Sequence, residues 1–232
     1  MFPLYDQNPT KTRPYVTWML VAANVAVFLL QLSRGFADAD FLEYGAIPGY
    51  LMHGERLYTL FTSMFMHGGL WHIIGNMLFL FIFGDNVEDR FGHIKFLILY
   101  LMVGVISGLA HAWITFQFDP SAAWIPAVGA SGAVSGVLGA YLLFFPGANI
   151  VTLVFLFYIA TTVKIKAIFY LGFWFLLQFS SVILNPNSGV AYWAHIGGFA
   201  AGLLVAVPFK MTGQKKTQER ARFSTEDYIL QE

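Results

Sequence analysis

Within long apolar stretches of this 232-residue chain stand a few polar side chains of the types that perform acyl transfer. Ser131 sits between Gly129-Ala130 and Gly132, so little bulk screens its hydroxyl. A serine nucleophile needs that access. Its oxyanion needs N–H donors nearby, and a helix start offers them through unpaired backbone amides. His195, in Ala194-His195-Ile196-Gly197-Gly198, has the chemistry of a general base. His72 and Asn76 are four residues apart, share one face of a helix, and both can donate hydrogen bonds. Spacing alone leaves them open as interhelical hydrogen-bond partners or as functional donors. No Asp or Glu falls within the apolar runs, so the arrangement is a Ser–His dyad.

The elements that must position these residues follow from charge. The chain is 57% hydrophobic and 11% charged, with a mean hydropathy of +0.63. Soluble domains carry about 25% charge, so a water-exposed surface is out of reach and the chain reads as an all-α polytopic membrane protein. Disorder is excluded by the high hydrophobicity. The lack of cysteine excludes a disulfide scaffold and thiol catalysis. A formal net charge of zero gives no electrostatic case for nucleic acid. No cofactor or metal is expected: His67 and His72 are five apart and no H-E-x-x-H occurs.

Charge-free runs place the spans. Pro14–Ser33, Leu57–Gly84 and Phe96–Phe118 each hold one. Pro120–Val163 holds one over Ala127–Phe145. The 14 residues Ile150–Val163 that follow suit an interfacial or re-entrant piece. Ala167–Phe209 holds two, split by the turn-forming Leu184–Gly189. With six spans and a cytoplasmic N-terminus, 11 of the 13 Lys and Arg fall on the inner side and only Arg34 and Arg56 outside. If Ile150–Val163 crossed, Lys164, Lys166 and the basic tail would lie on the wrong sides. The expected organisation is a cytoplasmic N-terminal tail (1–14), a six-helix membrane domain (15–209) and a cytoplasmic C-terminal tail (210–232). No cleavable signal or transit-like extension is evident, so a bacterial source would place the chain in the inner membrane.

Small residues recur at helical spacing. Gly132 and Gly136, then Gly198 and Gly202, let helices approach closely. Gly129 and Gly132 serve equally to clear space around Ser131. Glu88, four residues before Gly92, reads as an acid capping the start of the third span.

Together these residues resemble the rhomboid intramembrane serine proteases. His67 followed by His72-Ile-Ile-Gly-Asn76 resembles the family's His…HxxxN second helix. Glu88-x-x-x-Gly92 resembles its third-helix start, and His53-Gly54-Glu55-Arg56-Leu57 the end of its first loop. Gly129-Ala-Ser131-Gly132 resembles the GxSG nucleophile motif, and Ala194-His195-Ile-Gly-Gly198 the base motif of the last helix. The motifs run in family order over nearly the whole chain. The resemblance implies a bundle with a short central fourth helix, Ser131 as nucleophile and His195 as base. It implies His72, Asn76 and the Ser131 backbone N–H as oxyanion donors. The implied partners are the lipid bilayer and substrates that are themselves transmembrane helices, cut near their outer end. Leu184–Ala191 would cap the site and the fifth span would form a lateral gate. The alternative is a catalytically inactive relative acting in binding or quality control, but such relatives usually lose the serine or the histidine. A transporter would show buried acids or an inverted repeat, and neither is visible. One departure stands out: some members carry an aromatic one turn after the nucleophile, to pack on the histidine, where this chain has Ser135.

Overall fold

The computed structural model describes residues 2–156, 159–185 and 188–229, with the backbone alone at 156, 159 and 213–229. Five helices are long and apolar enough to cross a membrane: α1 (Tyr15–Ser33), α5 (Leu70–Phe91), α6 (His93–Phe118), α8 (Ala167–Leu184) and the Tyr192–Thr212 part of α9 (Tyr192–Ile229). The end of the expected C-terminal tail, 230–232, lies outside the described residues.

The helix carrying the serine differs from these. α7 (Ser131–Phe144) has 14 residues, about 21 Å at 1.5 Å per residue, against a hydrocarbon core of about 30 Å. Gly132 to Tyr141 are all buried, and α7 packs against α5, α6, α8 and α9. It starts four residues later than Ala127, where the charge-free run placed the span. Ala127 instead forms a two-way backbone bridge with Ala46 (2.9 Å each way). Gly129 takes a φ of +129° that favours glycine, and its N–H donates to the Ser63 carbonyl at 2.9 Å. The chain therefore stays irregular until Ser131.

The connection from α1 to α5 folds into α2 (Asp38–Tyr44), α3 (Pro48–Met52), α4 (Thr59–Thr62) and a 3-10 turn at Ser63–Phe65. Arg56 sits in the left-handed region at φ 49°. Its guanidinium lies 4.5 Å over the Tyr50 ring and donates to the Leu42 carbonyl at 2.9 Å.

The chain is mostly helical rather than all-α as expected, since residues 150–163 are not helical. They belong to a hairpin of β2 (Asn149–Leu156) and β3 (Ile159–Lys166), antiparallel with Asn149 opposite Lys166. β1 (Phe2–Asp6) adds to the free edge of β2, so the sheet order is β1-β2-β3. The segment is rich in Ile, Val and Thr, whose branched side chains suit a pleated surface. The sheet lies at the end of the bundle where α5 finishes, which we call the base. There the Tyr141 hydroxyl donates to Asp6 (2.5 Å), the Asn86 amide donates to Asp6 (3.1 Å), and Thr12 N–H donates to Asp89 (2.8 Å).

Glu88 corrects the sequence reading. It belongs to the last turn of α5, not to the third span, because α5 continues to Phe91 and Gly92 (φ +78°) makes the break. Fully buried, its carboxylate accepts from Val16 N–H (2.9 Å), Thr17 N–H (2.7 Å) and Thr17 Oγ1 (2.7 Å). It caps α1, a helix 71 residues away in sequence, and its Oε1 also lies 2.5 Å from Nδ1 of His93 at the start of α6. Hydrogen bonds to a buried charge are worth about 1.5–3 kcal/mol each, so this acid pins two spans together at the base.

The centre of the bundle is a glycine seam. A Cβ at Gly198 would run into the Gly132 carbonyl, one at Gly202 into the Gly136 carbonyl, and one at Gly139 into the Phe199 carbonyl. α7 and α9 therefore meet backbone to backbone, the close approach that small residues allow in lipid.

Candidate active site

Ser131 is the first residue of α7. The first bond of the helical ladder runs from the Val134 N–H to the Ala130 carbonyl at 2.9 Å. The amides of residues 131–133 lie ahead of that ladder, where the helix dipole leaves positive charge. One turn on, the Ser135 hydroxyl donates to the Ser131 carbonyl at 2.6 Å, so it serves its own helix and leaves His195 to others.

His72 stands in the first turn of α5. The Gly68 N–H donates to its Nδ1 at 3.3 Å. A nitrogen that accepts carries no proton, so in the neutral ring the proton is on Nε2. That Nε2 is 2.7 Å from where a Cβ on Gly129 would stand, and Ser131 Oγ is 3.6 Å from the same point. An N–H donor thus lies beside the serine, and no residue but glycine fits between. Asn76, one turn along, is 8% exposed, and its Nδ2 has no hydrogen-bond partner among the described residues. Among the described residues neither donor bonds a neighbouring helix. His67, also buried, packs edge-on to His72 with ring centroids 5.1 Å apart. Gln31 holds the His67 backbone like a strand, accepting from its N–H (3.0 Å) and donating to its carbonyl (3.2 Å).

His195 lies in the first turn of α9. The Ser107 hydroxyl of α6 donates to the neighbouring Ala194 carbonyl at 2.8 Å, and Gly132 faces both Ser107 and Ala194. The residues adjacent in sequence to Ser131 and His195 are thus in contact, at the end of the seam opposite the base. His195 Nδ1 is 2.8 Å from Gln178 Oε1, and the Trp174 ring lies 6.1 Å away at 30° to the imidazole. Gln178 Nε2 donates to the Trp174 carbonyl at 3.0 Å. The aromatic neighbour absent at Ser135 is therefore supplied by α8. Reading for chemistry along the chain misses Gln178 and Trp174. The available signal was the single carboxamide of that span, a group expensive to place in lipid.

A cavity opens at this end between α3, α4, α6 and α7. Its lining includes Ser63, Ser107, His111, Gly129, Ser131 and Ala194. His111, the only histidine of the third charge-free run, was also missed; its Nδ1 is 3.4 Å from Thr115 Oγ1. Among the described residues no group of three His, Asp or Glu side chains is placed to hold a metal ion. Of the expected cap Leu184–Ala191, residues 186 and 187 lie outside the described residues.

The structure thus holds a serine at a helix start, a histidine N–H donor near it with an unpaired amide one turn along the same helix, and a second histidine across a glycine seam, side-chain types that acyl transfer uses. The Rhomboid domain family model matches residues 54–211. The chain is 33% identical over 196 residues to the rhomboid protease GluP of Bacillus subtilis (strain 168), covering 84% of this chain and 34% of that protein. It is 30% identical over 222 residues to the mitochondrial Rhomboid protein 1 of Saccharomyces cerevisiae, covering 90% and 58%. It is 30% identical over 125 residues to the rhomboid protease GlpG of Haemophilus influenzae, covering 53% and 59%. The chain thus spans about a third to three fifths of the length of these relatives.

Proposed function

The chain belongs to the rhomboid family, and on that premise we propose that it is an intramembrane serine endopeptidase working through a Ser131–His195 dyad. The observation that carries this reading is the hydrogen bond from the Gly68 N–H to His72 Nδ1. It leaves His72 Nε2–H as a fixed donor beside Ser131, with the free Asn76 amide one turn away.

In this mechanism His195 Nε2 takes the proton of Ser131 as Oγ attacks the scissile carbonyl carbon. The oxyanion is received by the His72 Nε2–H, the Asn76 Nδ2–H and the Ser131 N–H. One such donor is worth about 10²–10³ in rate. The imidazolium then protonates the leaving amine, and the C–N bond breaks to leave an acyl ester on Ser131. A water, deprotonated by His195, hydrolyses that ester and restores the serine. The short α7 and the irregular 127–130 segment suit a site that must admit water. Irregular backbone is tolerated at membrane depth where it lines a cavity.

In the same reading α7 is a sixth, short span and both termini face the cytoplasm, following the distribution of Lys and Arg. The substrate is a transmembrane helix cut near its outer end, and in a bacterium the site is the inner membrane. Labelling with a serine-directed phosphonate tests the nucleophile. The parent is expected to label stoichiometrically and Ser131→Ala not at all. Labelling that persists in Ser131→Ala would remove the assignment, and a parent that does not label would favour a catalytically inactive binding protein of the same fold.

A further inference from the structure

We propose that Gln178 is a positioning residue: it holds His195 in the tautomer a base requires and makes that tautomer depend on α8 lying against α9. The role rests on the reading of His195 as general base. The two terminal atoms of Gln178 differ in what they can do: Oε1 only accepts and Nε2 only donates. The Trp174 carbonyl, 3.0 Å from Nε2, can only accept, which sets the amide the right way round. The atom facing His195 Nδ1 at 2.8 Å is then Oε1. Nδ1 must carry the proton, and Nε2 is left with a lone pair. With the opposite tautomer two acceptors would face each other, and His195 could not take the proton of Ser131.

The device does for His195 what a carboxylate does in a triad, where orientation and tautomer are the acid's contribution. A carboxamide achieves it without burying a charge, which in lipid would be costly. Trp174 completes the support from the same helix, one turn away, with its ring 6.1 Å from the imidazole. The helix supplying both has the smallest buried share of the five long apolar helices, 22% against 28% for α1 and for Tyr192–Thr212 of α9 and 50% for α5, and its Phe169, Leu176 and Ile183 are exposed. When α8 separates from α9, the Nδ1 acceptor leaves with it, so His195 is a competent base only while α8 is docked.

The experiment uses the full chain in lipid nanodiscs with a model transmembrane substrate. Gln178→Met removes the acceptor at similar volume, and Gln178→Glu restores one. Kinetics are paired with ¹⁵N spectra of the histidine rings, the His195 signals being identified by their loss in His195→Ala. The parent is expected to show His195 protonated on Nδ1. Gln178→Met should lose about 10- to 100-fold in kcat, part of the 10²–10⁴ that proton transfer supplies, with KM within about twofold, and its ring should shift toward the other tautomer. Gln178→Glu should recover most of kcat. A parent protonated on Nε2 alone would overturn the proposal whether or not any variant folds. Loss of cleavage in His195→Ala alongside an unchanged kcat in Gln178→Met would overturn this role alone. Cleavage surviving His195→Ala would overturn the dyad and this role with it.

Discussion

α9 meets its two neighbours in opposite ways. Against α7 it brings backbone to backbone: Gly198 lies on the Gly132 carbonyl and Gly202 on the Gly136 carbonyl, with no space for a methyl group. Against α8 it brings side chains: Phe199 stacks on Phe175 at 4.4 Å and 21°, and His195 bonds Gln178. In lipid there is no hydrophobic drive between helices, so close packing and hydrogen bonds hold them together. A backbone seam cannot slide without collision, whereas a side-chain seam tolerates movement. Ser131 and His195 therefore stand on two helices locked as one frame, and Gln178, proposed to orient His195, belongs to the side-chain seam. α7 is held at its other end too, where Tyr141 donates to Asp6 of β1.

The largest effect should come from breaking the locked seam. Gly202→Val places branched carbon against the Gly136 backbone, and overpacking of this kind costs about 3 kcal/mol. Thermal unfolding in detergent should show the midpoint falling by many degrees, together with activity. A variant with the parent's midpoint would mean that the two seams are alike. The Gln178 variants fall next, lowering kcat while leaving the midpoint nearly untouched, which separates the loose seam from the locked one.

The smallest effect is at the foot of α7. Burial lifts the Asp6 carboxyl to about 6 from 3.8, against the opposing pull of the Tyr141 hydroxyl. A raised folded-state value means that the folded protein holds this proton more tightly than the unfolded chain. Between about pH 4 and pH 6 stability should thus decline as pH rises. Asp6→Asn keeps an acceptor for Tyr141 and removes the titration. Its unfolding midpoint should change less over that window than the parent's, and parallel profiles would show that Asp6 does not set the pH dependence of stability there.

Much of this was legible in the sequence because lipid penalises charge. The run Pro14–Ser33 differs from α1 by one residue, and Phe96–Phe118 ends where α6 ends. What could not be read depends on contacts distant in sequence. The start of α7 at Ser131 is decided by Ala46 and Ser63, which capture the backbone of Ala127 and Gly129. The hairpin at 149–166 showed its Ile, Val and Thr content, but β1 pairs with it from more than 140 residues away. Glu88 was legible as a capping acid, yet which helix it caps depends on how α1 and α5 pack. Ser131, His195, His72 and Asn76 were visible as polar groups in apolar runs. Gln178 was just as visible, but that it faces His195 depends on the rotation of α8.

The central claim is tested most directly by cleavage. Purified protein reconstituted into liposomes with a model transmembrane substrate should cut it near its outer end, and Ser131→Ala and His195→Ala should each abolish the product while remaining folded. Cleavage by Ser131→Ala at the parent's rate would contradict the account.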